Sequence, residues 1–266
     1  MRRRTTLAIA AFAALTTLVS GCGSSNDSSG SSSGSKSAET SKVTGTITVL
    51  AAASLTESFN TIAKDFEDEN PGATVKISFG ASSALAEQIN QGAPADVFAS
   101  AAVKNMQQVT DAGNANKPTT FVQNTMQIAV PPSNPANVTK LADLAKSDVK
   151  VALCQSQVPC GVVAAEVFKN AGITVTPVTE EQDVKSTLTK VELGEVDAGV
   201  VYTTDVKAAG DKVKGIEIPD DVNATTDYPI ATLKNAPNAD GAKAFMDYVL
   251  SDAGIKVLQQ AGFSKP

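Results

Sequence analysis

Short apolar runs alternate with amphipathic segments from Val43 to the end of the chain. The runs have the length of β-strands, and the segments between them repeat apolar residues at the spacing of one helix face. One such stripe contains Leu55, Phe59, Ile62 and Phe66. Strands that alternate with helices form α/β sheets with helices on both faces, because each helix carries the chain back across the sheet. The sequence therefore predicts an α/β fold.

The predicted elements follow one another without an internal repeat or a coiled-coil heptad. The predicted strands cover residues 47–54, 75–79, 97–99, 126–130, 149–153, 198–202, 213–218 and 228–233. The predicted helices cover residues 55–66, 84–89, 103–109, 141–144, 161–170, 184–193, 239–250 and 253–261. About 220 residues take part in this pattern, which is enough for one large core or for two smaller ones.

The first 42 residues differ in composition from the rest of the chain. Three arginines at positions 2–4 precede an apolar stretch, residues 7–19, and small residues lead up to Cys22. This order predicts a signal peptide over residues 1–21 and a lipid on Cys22, and the apolar stretch is too short to suit the alternative, a permanent membrane helix. Residues 22–42 are rich in serine and glycine and predict a flexible tether. We therefore expect an exported lipoprotein, anchored to the outer face of the cell membrane.

The chain carries a formal net charge of −6 and contains no histidine. Removal of residues 1–21 takes away three arginines and no acidic residue, so the mature chain has a net charge of −9. An acidic protein is poorly suited to bind nucleic acid. The lack of histidine excludes His-based catalytic triads, imidazole bases and the common zinc sites. We therefore expect no catalytic residue, no cofactor and no bound metal cation.

Two predicted strands end at serines that also begin a helix. Ser54 ends the first strand, and Ser82 follows the run that contains Ile77 and Phe79. Helix N-termini carry free backbone N–H groups, which together with hydroxyls form sites for anions. Neither serine has a lysine or arginine beside it, so that neutral dipoles would hold the anion. The alternative is that both serines are ordinary helix caps.

Cys154 and Cys160 flank a short loop between a predicted strand and a predicted helix. Because Cys22 is expected to carry the lipid, these are the two remaining cysteines of an exported chain, and we predict a disulfide between them. Two unpaired thiols packed as small apolar groups, or a metal-binding pair, are the alternatives. The backbone N–H groups of Cys160 and Gly161 lie at the predicted helix start and are free to donate.

Two more candidate donors lie at the boundaries of predicted elements. Val184 follows Asp183, a residue type that caps helices, so the backbone N–H of Val184 is free to donate. Tyr202 ends the predicted strand 198–202, where a tyrosine is also often a core or rim residue. Ligands of open α/β sheets bind beyond the carboxyl ends of the strands. The recurrence of donors at successive strand ends therefore favours a binding site.

Six short motifs together resemble the periplasmic molybdate-binding proteins of ATP-binding-cassette importers. The motifs are AAASL at 51–55, FGASSALAEQI at 79–89, GAPADVF at 92–98, VPCG at 158–161, DV at 183–184 and GVVY at 199–202. The likeness extends from about Thr46 to Phe263, which is nearly the whole chain after the tether. Each motif is short, and it is their conjunction that is specific.

The resemblance implies a type II periplasmic-binding-protein fold, in which each of two lobes is a mixed sheet flanked by helices and the ligand lies in the cleft between them. It implies that lobe I comprises residues 43–125 and 229–266 and that lobe II comprises residues 126–228.

The resemblance also implies a set of ligand contacts. Ser54 and Ser82 would donate hydroxyl and backbone N–H groups from lobe I. Cys160 and Val184 would donate backbone N–H groups, and Tyr202 its hydroxyl, from lobe II. The family usually has alanine at the position of Cys160. We expect this departure to be tolerated, because the contact is made by the backbone.

The function implied is capture of molybdate or tungstate by a monomer that delivers it to the membrane permease of an importer. A proton-free tetrahedral dianion has only acceptors, which a site composed of donors satisfies. Phosphate keeps a proton at neutral pH and needs an acceptor, which the predicted contacts lack. Sulfate has the protonation of molybdate and remains the alternative ligand. Ferric iron usually requires several tyrosines or a histidine.

Two other classes of function are less consistent with the sequence. A serine hydrolase that used Ser54 or Ser82 as nucleophile would lack a histidine base and a Gly-x-Ser-x-Gly motif. A surface lipoprotein that only adheres to a partner would carry a large exposed apolar patch. We therefore expect a binding protein and not an enzyme.

Overall fold

A computed structural model describes residues 43–266. The predicted signal peptide, the predicted lipidation at Cys22 and the predicted tether to residue 42 lie outside the described residues. Among the helices of residues 43–266, none is long and apolar enough to cross a membrane.

The described residues form nine strands and eight α-helices that largely alternate along the chain. The strands are β1 Thr44–Ala52, β2 Gly72–Gly80, β3 Val97–Ala99, β4 Thr119–Val130, β5 Val151–Cys154, β6 Thr179–Glu181, β7 Ala198–Tyr202, β8 Lys214–Glu217 and β9 Thr225–Thr232. The helices are α1 Thr56–Glu69, α2 Ser82–Asn90, α3 Val103–Asp111, α4 Pro159–Asn170, α5 Val184–Glu192, α6 Thr203–Ala209, α7 Ala239–Leu250 and α8 Asp252–Ala261. The α/β fold predicted from the alternation is confirmed.

The strands are joined in one mixed sheet in the order β2-β1-β3-β9-β4-β7-β5-β6, with β8 paired to β4. β1 is parallel to β2 and β3, and β5 is parallel to β6 and β7. The carboxyl ends of β1 and β2 therefore lie at one edge of their group, and those of β5 and β7 lie at one edge of theirs. Each of these four ends is followed by a turn or helix start.

Antiparallel pairing of β4 with β9 and β7 links the two parallel groups. Residues Thr119 to Thr125 of β4 pair with β9, whereas Met126 to Ala129 pair with β7. β4 thus passes from one half of the sheet to the other without a break.

The buried apolar residues divide in the same way. One cluster draws on residues 126–224, with Ala53 as its one member from outside that range. The other two clusters draw on residues 47–122 and 228–263. In the larger of these two clusters, Phe245 lies edge-on against Phe59 and Phe66, a favourable arrangement for aromatic rings.

Several predicted boundaries differ from the structure. β1 ends at Ala52, and the next residues form a 3₁₀ turn, Ala53–Leu55, so that Ser54 lies in the turn and not in the strand. β4 begins at Thr119, before its predicted start at 126, because its first half pairs with β9 over long range. The predicted helix at 141–144 is a 3₁₀ turn, Leu141–Ala145. The short β6 and α6 were not predicted, since neither is long enough to show a period.

Candidate functional site

A small central pocket lies between the two halves of the sheet. It is lined by all five residues that the sequence singled out as ligand contacts, Ser54, Ser82, Cys160, Val184 and Tyr202. The other lining residues are mostly small, namely Ala52, Ala53, Gly80, Ala81, Ala101, Val158, Pro159 and Asp183. The cavity has a volume of about 20 Å³, which leaves room for one compact group.

Four helix or turn starts meet at this pocket. Ser54 lies in the 3₁₀ turn before α1, and Ser82 is the first residue of α2. Cys160 is the second residue of α4, after Pro159, and Val184 is the first residue of α5. The first backbone N–H groups of a helix have no partner within it, and the helix dipole makes this end partially positive. The pocket therefore presents backbone donors to anything that enters it.

No lysine or arginine is among the residues that line the pocket. The single carboxylate among them, Asp183, is already engaged, because its Oδ1 accepts a hydrogen bond of 2.8 Å from the backbone N–H of Ser186 and so caps α5. This cap was predicted from the sequence. The other polar groups of the lining residues include the hydroxyls of Ser54, Ser82 and Tyr202 and the backbone N–H groups of the helix starts.

Tyr202 carries a buried hydroxyl that has no hydrogen-bond partner within the described residues. The side chain is 1% exposed at the end of β7 and lines the pocket. Burial, and after it the nearby Tyr228 and Asp205, raise the pKa of Tyr202 well above 10.0. The phenol therefore keeps its proton, and a buried donor without a partner is a costly feature that a ligand would satisfy.

Each of the two serine hydroxyls is hydrogen-bonded to another group of the protein. Ser82 Oγ accepts a hydrogen bond of 2.8 Å from the backbone N–H of Ala101. Ser54 Oγ lies 2.7 Å from Tyr228 Oη. Neither Ala101 nor Tyr228 was identified as a site residue from the sequence, because each reaches its serine only through the pairing of distant strands. Within residues 43–266, neither serine is hydrogen-bonded to a lysine or a carboxylate.

Charged groups lie one layer behind the pocket. Lys185 Nζ is 3.0 Å from Asp205 Oδ1 and 2.8 Å from Glu57 Oε2. Asp205 is fully buried, and its Oδ2 accepts a hydrogen bond of 3.3 Å from the backbone N–H of Tyr202. Although burial alone would lower the pKa of Lys185, Asp205 and Glu57 together raise it. The lysine thus stays charged, is paired with two carboxylates and is not among the residues that line the pocket.

Cys154 and Cys160 are joined by a disulfide. It ties the end of β5 to the first turn of α4, where the N–H of Cys160 lines the pocket. The next residue, Gly161, has no space for a side chain, because a Cβ at this position would lie 2.0 Å from the carbonyl oxygen of Gln155. The loop backbone therefore packs directly against the helix start.

No group of three metal-ligating side chains is found anywhere in residues 43–266.

Comparison with known proteins agrees with this architecture. The family model described as bacterial extracellular solute-binding protein matches residues 47–264. The molybdate-binding protein ModA of Mycobacterium tuberculosis is 40% identical over 222 residues, covering 83% of this chain and 85% of ModA. The putative ABC transporter substrate-binding lipoprotein YvgL of Bacillus subtilis is 34% identical over 264 residues, covering 95% of this chain and 96% of YvgL.

Among solved structures, the periplasmic molybdate-binding protein of Azotobacter vinelandii matches with a TM-score of 0.74 at 20% identity, covering 83% of this chain and 99% of that one. The two-lobed periplasmic-binding-protein fold implied by the sequence motifs is therefore confirmed.

Removal of the disulfide should destabilise the folded protein. The loop that it closes is short, since six positions separate the two cysteines, and loop-closure entropy gives about 2 kcal/mol for a loop of this size. We expect the double variant Cys154→Ala/Cys160→Ala to lose about that much free energy of unfolding in urea titrations. The oxidised parent serves as the reference, and a variant as stable as the parent would contradict the prediction.

Asp205 should make stability depend on pH. Burial raises its pKa from 3.8 to about 6, against the smaller opposing effects of Lys185 and the N–H of Tyr202. The folded protein therefore holds this proton more tightly than the unfolded chain, and ionisation of Asp205 lowers stability as pH rises through about 6.

We expect the variant Asp205→Asn to become more stable relative to the parent between about pH 4 and pH 7, by at most about 3 kcal/mol. Urea unfolding at a series of pH values measures this difference. A difference that stays constant over the range would show that Asp205 does not titrate in this way.

Proposed function

The chain belongs to the family of bacterial extracellular solute-binding proteins, and we propose that the solute it captures is molybdate. Its family and its relatives are solute-binding proteins and not enzymes, as the sequence predicted. The observation that carries the proposal is a pocket of a few atoms' size, lined by neutral donors from several helix starts and free of cationic side chains.

We assign the ligand contacts to the hydroxyls of Ser54, Ser82 and Tyr202 and to the backbone N–H groups of Cys160 and Val184. The assignment is supported by the location of all five residues on one pocket and by the buried, unpartnered hydroxyl of Tyr202. The serines would contribute their backbone N–H groups as well, since both lie at the start of a helix or turn.

Molybdate and tungstate suit this pocket because both are tetrahedral dianions without a proton at neutral pH. Every ligand oxygen can then accept hydrogen bonds, and the five proposed contact residues all donate them. Hydrogen phosphate would bring a proton to a pocket whose one carboxylate already caps α5. Sulfate shares the protonation of molybdate and is distinguished from it by size, and the relatives named for molybdate favour the larger anion.

We propose that the ligand closes the cleft between lobe I, residues 43–125 and 229–266, and lobe II, residues 126–228. The division of the apolar clusters near residues 122–126 and 224–228 supports these boundaries. β4 and β9, which pair across this division, would act as the hinge. Closure would exclude water and strengthen the hydrogen bonds to the anion.

The protein would act outside the cytoplasm as a monomeric lipoprotein that delivers its ligand to the permease of an ABC importer. The relative YvgL is named a substrate-binding lipoprotein of an ABC transporter, and its alignment, which covers 95% of this chain, must extend into the first 42 residues. This supports a signal peptide over residues 1–21 and a lipid on Cys22. Incorporation of labelled palmitate in the parent, and its loss in Cys22→Ala, would test the anchor.

Isothermal titration of the ligand-free protein with molybdate, tungstate, sulfate and phosphate tests the ligand. We expect saturable binding of molybdate and tungstate, with sulfate weaker and phosphate weaker still. If sulfate binds as tightly as molybdate, the assignment of molybdate as the ligand is wrong. If none of the four anions binds, the proposed function is refuted.

Removal of single hydroxyls should weaken molybdate binding without unfolding the protein. A hydrogen bond to a charged group contributes about 1.5 to 3 kcal/mol, so Ser54→Ala, Ser82→Ala and Tyr202→Phe should each lower the affinity by about tenfold to 150-fold. Ser78→Ala, at an exposed position of β2, is the matched control and should bind like the parent. Parental affinity in all three pocket variants would show that the contacts are wrongly assigned.

A further inference from the structure

A buried set of side chains connects Ser54 to the two strands that link the halves of the sheet. Ser54 Oγ lies 2.7 Å from Tyr228 Oη on β9. Asn124 on β4 donates from Nδ2 to the same Tyr228 oxygen at 3.4 Å. Tyr228 is 0% exposed and Asn124 is 2% exposed. Because bulk water does not reach these groups, the partners that they find in one another decide where each proton points.

The orientation of the Asn124 amide is fixed by its other neighbours. The backbone N–H of Thr125 can only donate, and it lies 3.1 Å from Asn124 Oδ1. The hydroxyl of Thr203 donates to the same oxygen at 3.0 Å. The Nδ2 side of the amide therefore faces Thr204 Oγ1, at 2.8 Å, and Tyr228 Oη. Asn124 can thus offer Tyr228 a hydrogen and not a lone pair.

The geometry of the Ser54–Tyr228 hydrogen bond admits either atom as donor, and the orientation of Asn124 favours Tyr228 as the donor. Tyr228 Oη accepts from Asn124, so its own proton is available to Ser54 Oγ at 2.7 Å. Ser54 Oγ then accepts from Tyr228, and the proton of Ser54 is left to point into the central pocket. The same result is reached at Ser82 by a shorter route, because the backbone N–H of Ala101 donates to its oxygen.

We propose that Asn124 and Tyr228 are positioning residues that hold Ser54 as a hydrogen-bond donor to the bound anion, and that they thereby select against oxyanions that carry a proton. The inference rests on the proposed function, because it concerns the same pocket. Burial raises the pKa of Tyr228, so the phenol keeps the proton that this arrangement requires. A protonated oxyanion would need an acceptor where the pocket presents donors, and one buried hydroxyl would lose its partner.

Substitution of Asn124 by aspartate would reverse the direction of the hydrogen bonds that run from Asn124 through Tyr228 to Ser54. A carboxylate can only accept, so Tyr228 would donate to it and Ser54 would donate to Tyr228. Ser54 would then present lone pairs to the pocket, where they accept the proton of hydrogen phosphate. We expect Asn124→Asp to bind molybdate at least about tenfold more weakly.

The decisive measurement is the ratio of sulfate affinity to hydrogen phosphate affinity, obtained by titration at mildly alkaline pH. The two anions have the same shape and charge and differ in one proton, so the added negative charge of the variant affects both alike. We expect this ratio to fall by about tenfold in Asn124→Asp, as one hydrogen bond changes direction.

Asn223→Asp is the matched control. Asn223 also contacts β4, through the N–H and the carbonyl of Met126, and it makes no hydrogen bond to Tyr228 or Ser54. The variant Asn223→Asp introduces the same charge near β4 and should leave the ratio of sulfate to hydrogen phosphate affinity at its parental value. Tyr228→Phe is a second test that adds no charge, and we expect it to weaken molybdate binding by about three- to tenfold while circular dichroism shows a folded protein.

The outcomes separate this inference from the function on which it rests. If the parent binds none of the anions, the proposed function is wrong. If the parent binds molybdate but Asn124→Asp and Tyr228→Phe keep the parental affinity and ratio, only the role of Asn124 and Tyr228 is wrong. If Asn124→Asp fails to fold, unchanged molybdate binding in Tyr228→Phe overturns the inference by itself.

Discussion

A pocket without a cationic side chain can hold a charged solute only if oriented hydrogen-bond donors replace the water that the solute gives up. The arrangement of this protein follows from that constraint. Ser54, Ser82, Cys160 and Val184 all lie at the start of a turn or helix, where backbone N–H groups are free. Tyr202 adds a buried hydroxyl that has no other partner in the described part of the chain. The fold thus supplies donors from its backbone and needs few side chains to complete them.

The same constraint explains why charged groups are close to the pocket but not in it. Lys185 directly follows Val184, yet Asp205 and Glu57 bind its ammonium group. A free ammonium at this position would attract many kinds of anion with little regard to their protonation or shape. With Lys185 neutralised by two carboxylates, the direction and number of hydrogen bonds would decide which ligand the proposed site accepts. The Lys185 to Glu57 ion pair also joins α5 to α1, across the division between the proposed lobes.

The two strands that connect the halves of the sheet have a second role in this view. β4 and β9 carry Asn124 and Tyr228, whose hydrogen bonds reach Ser54 at the pocket and Thr203 and Thr204 at the start of α6. The proposed hinge is therefore bonded to the proposed ligand contacts. In this proposal the direction of Ser54 and the geometry of closure depend on the same buried side chains.

The sequence by itself determined the α/β class, most of the elements and the five candidate contacts, because periodicity, helix caps and strand-end motifs are local features that neighbouring residues encode. It placed the end of β1 at Ser54, two residues after its actual end at Ala52. It contained no sign of β6 or α6, nor of the first half of β4, which forms by pairing with β9.

Only the tertiary structure brought Tyr228 to Ser54, Ala101 to Ser82 and Asn124 to Tyr228, over separations of 174, 19 and 104 residues. No local pattern marks such partners, since each contact exists only after the strands have paired. The residues that line the pocket could thus be anticipated from short motifs, whereas the residues that bond to its serines were decided by the fold.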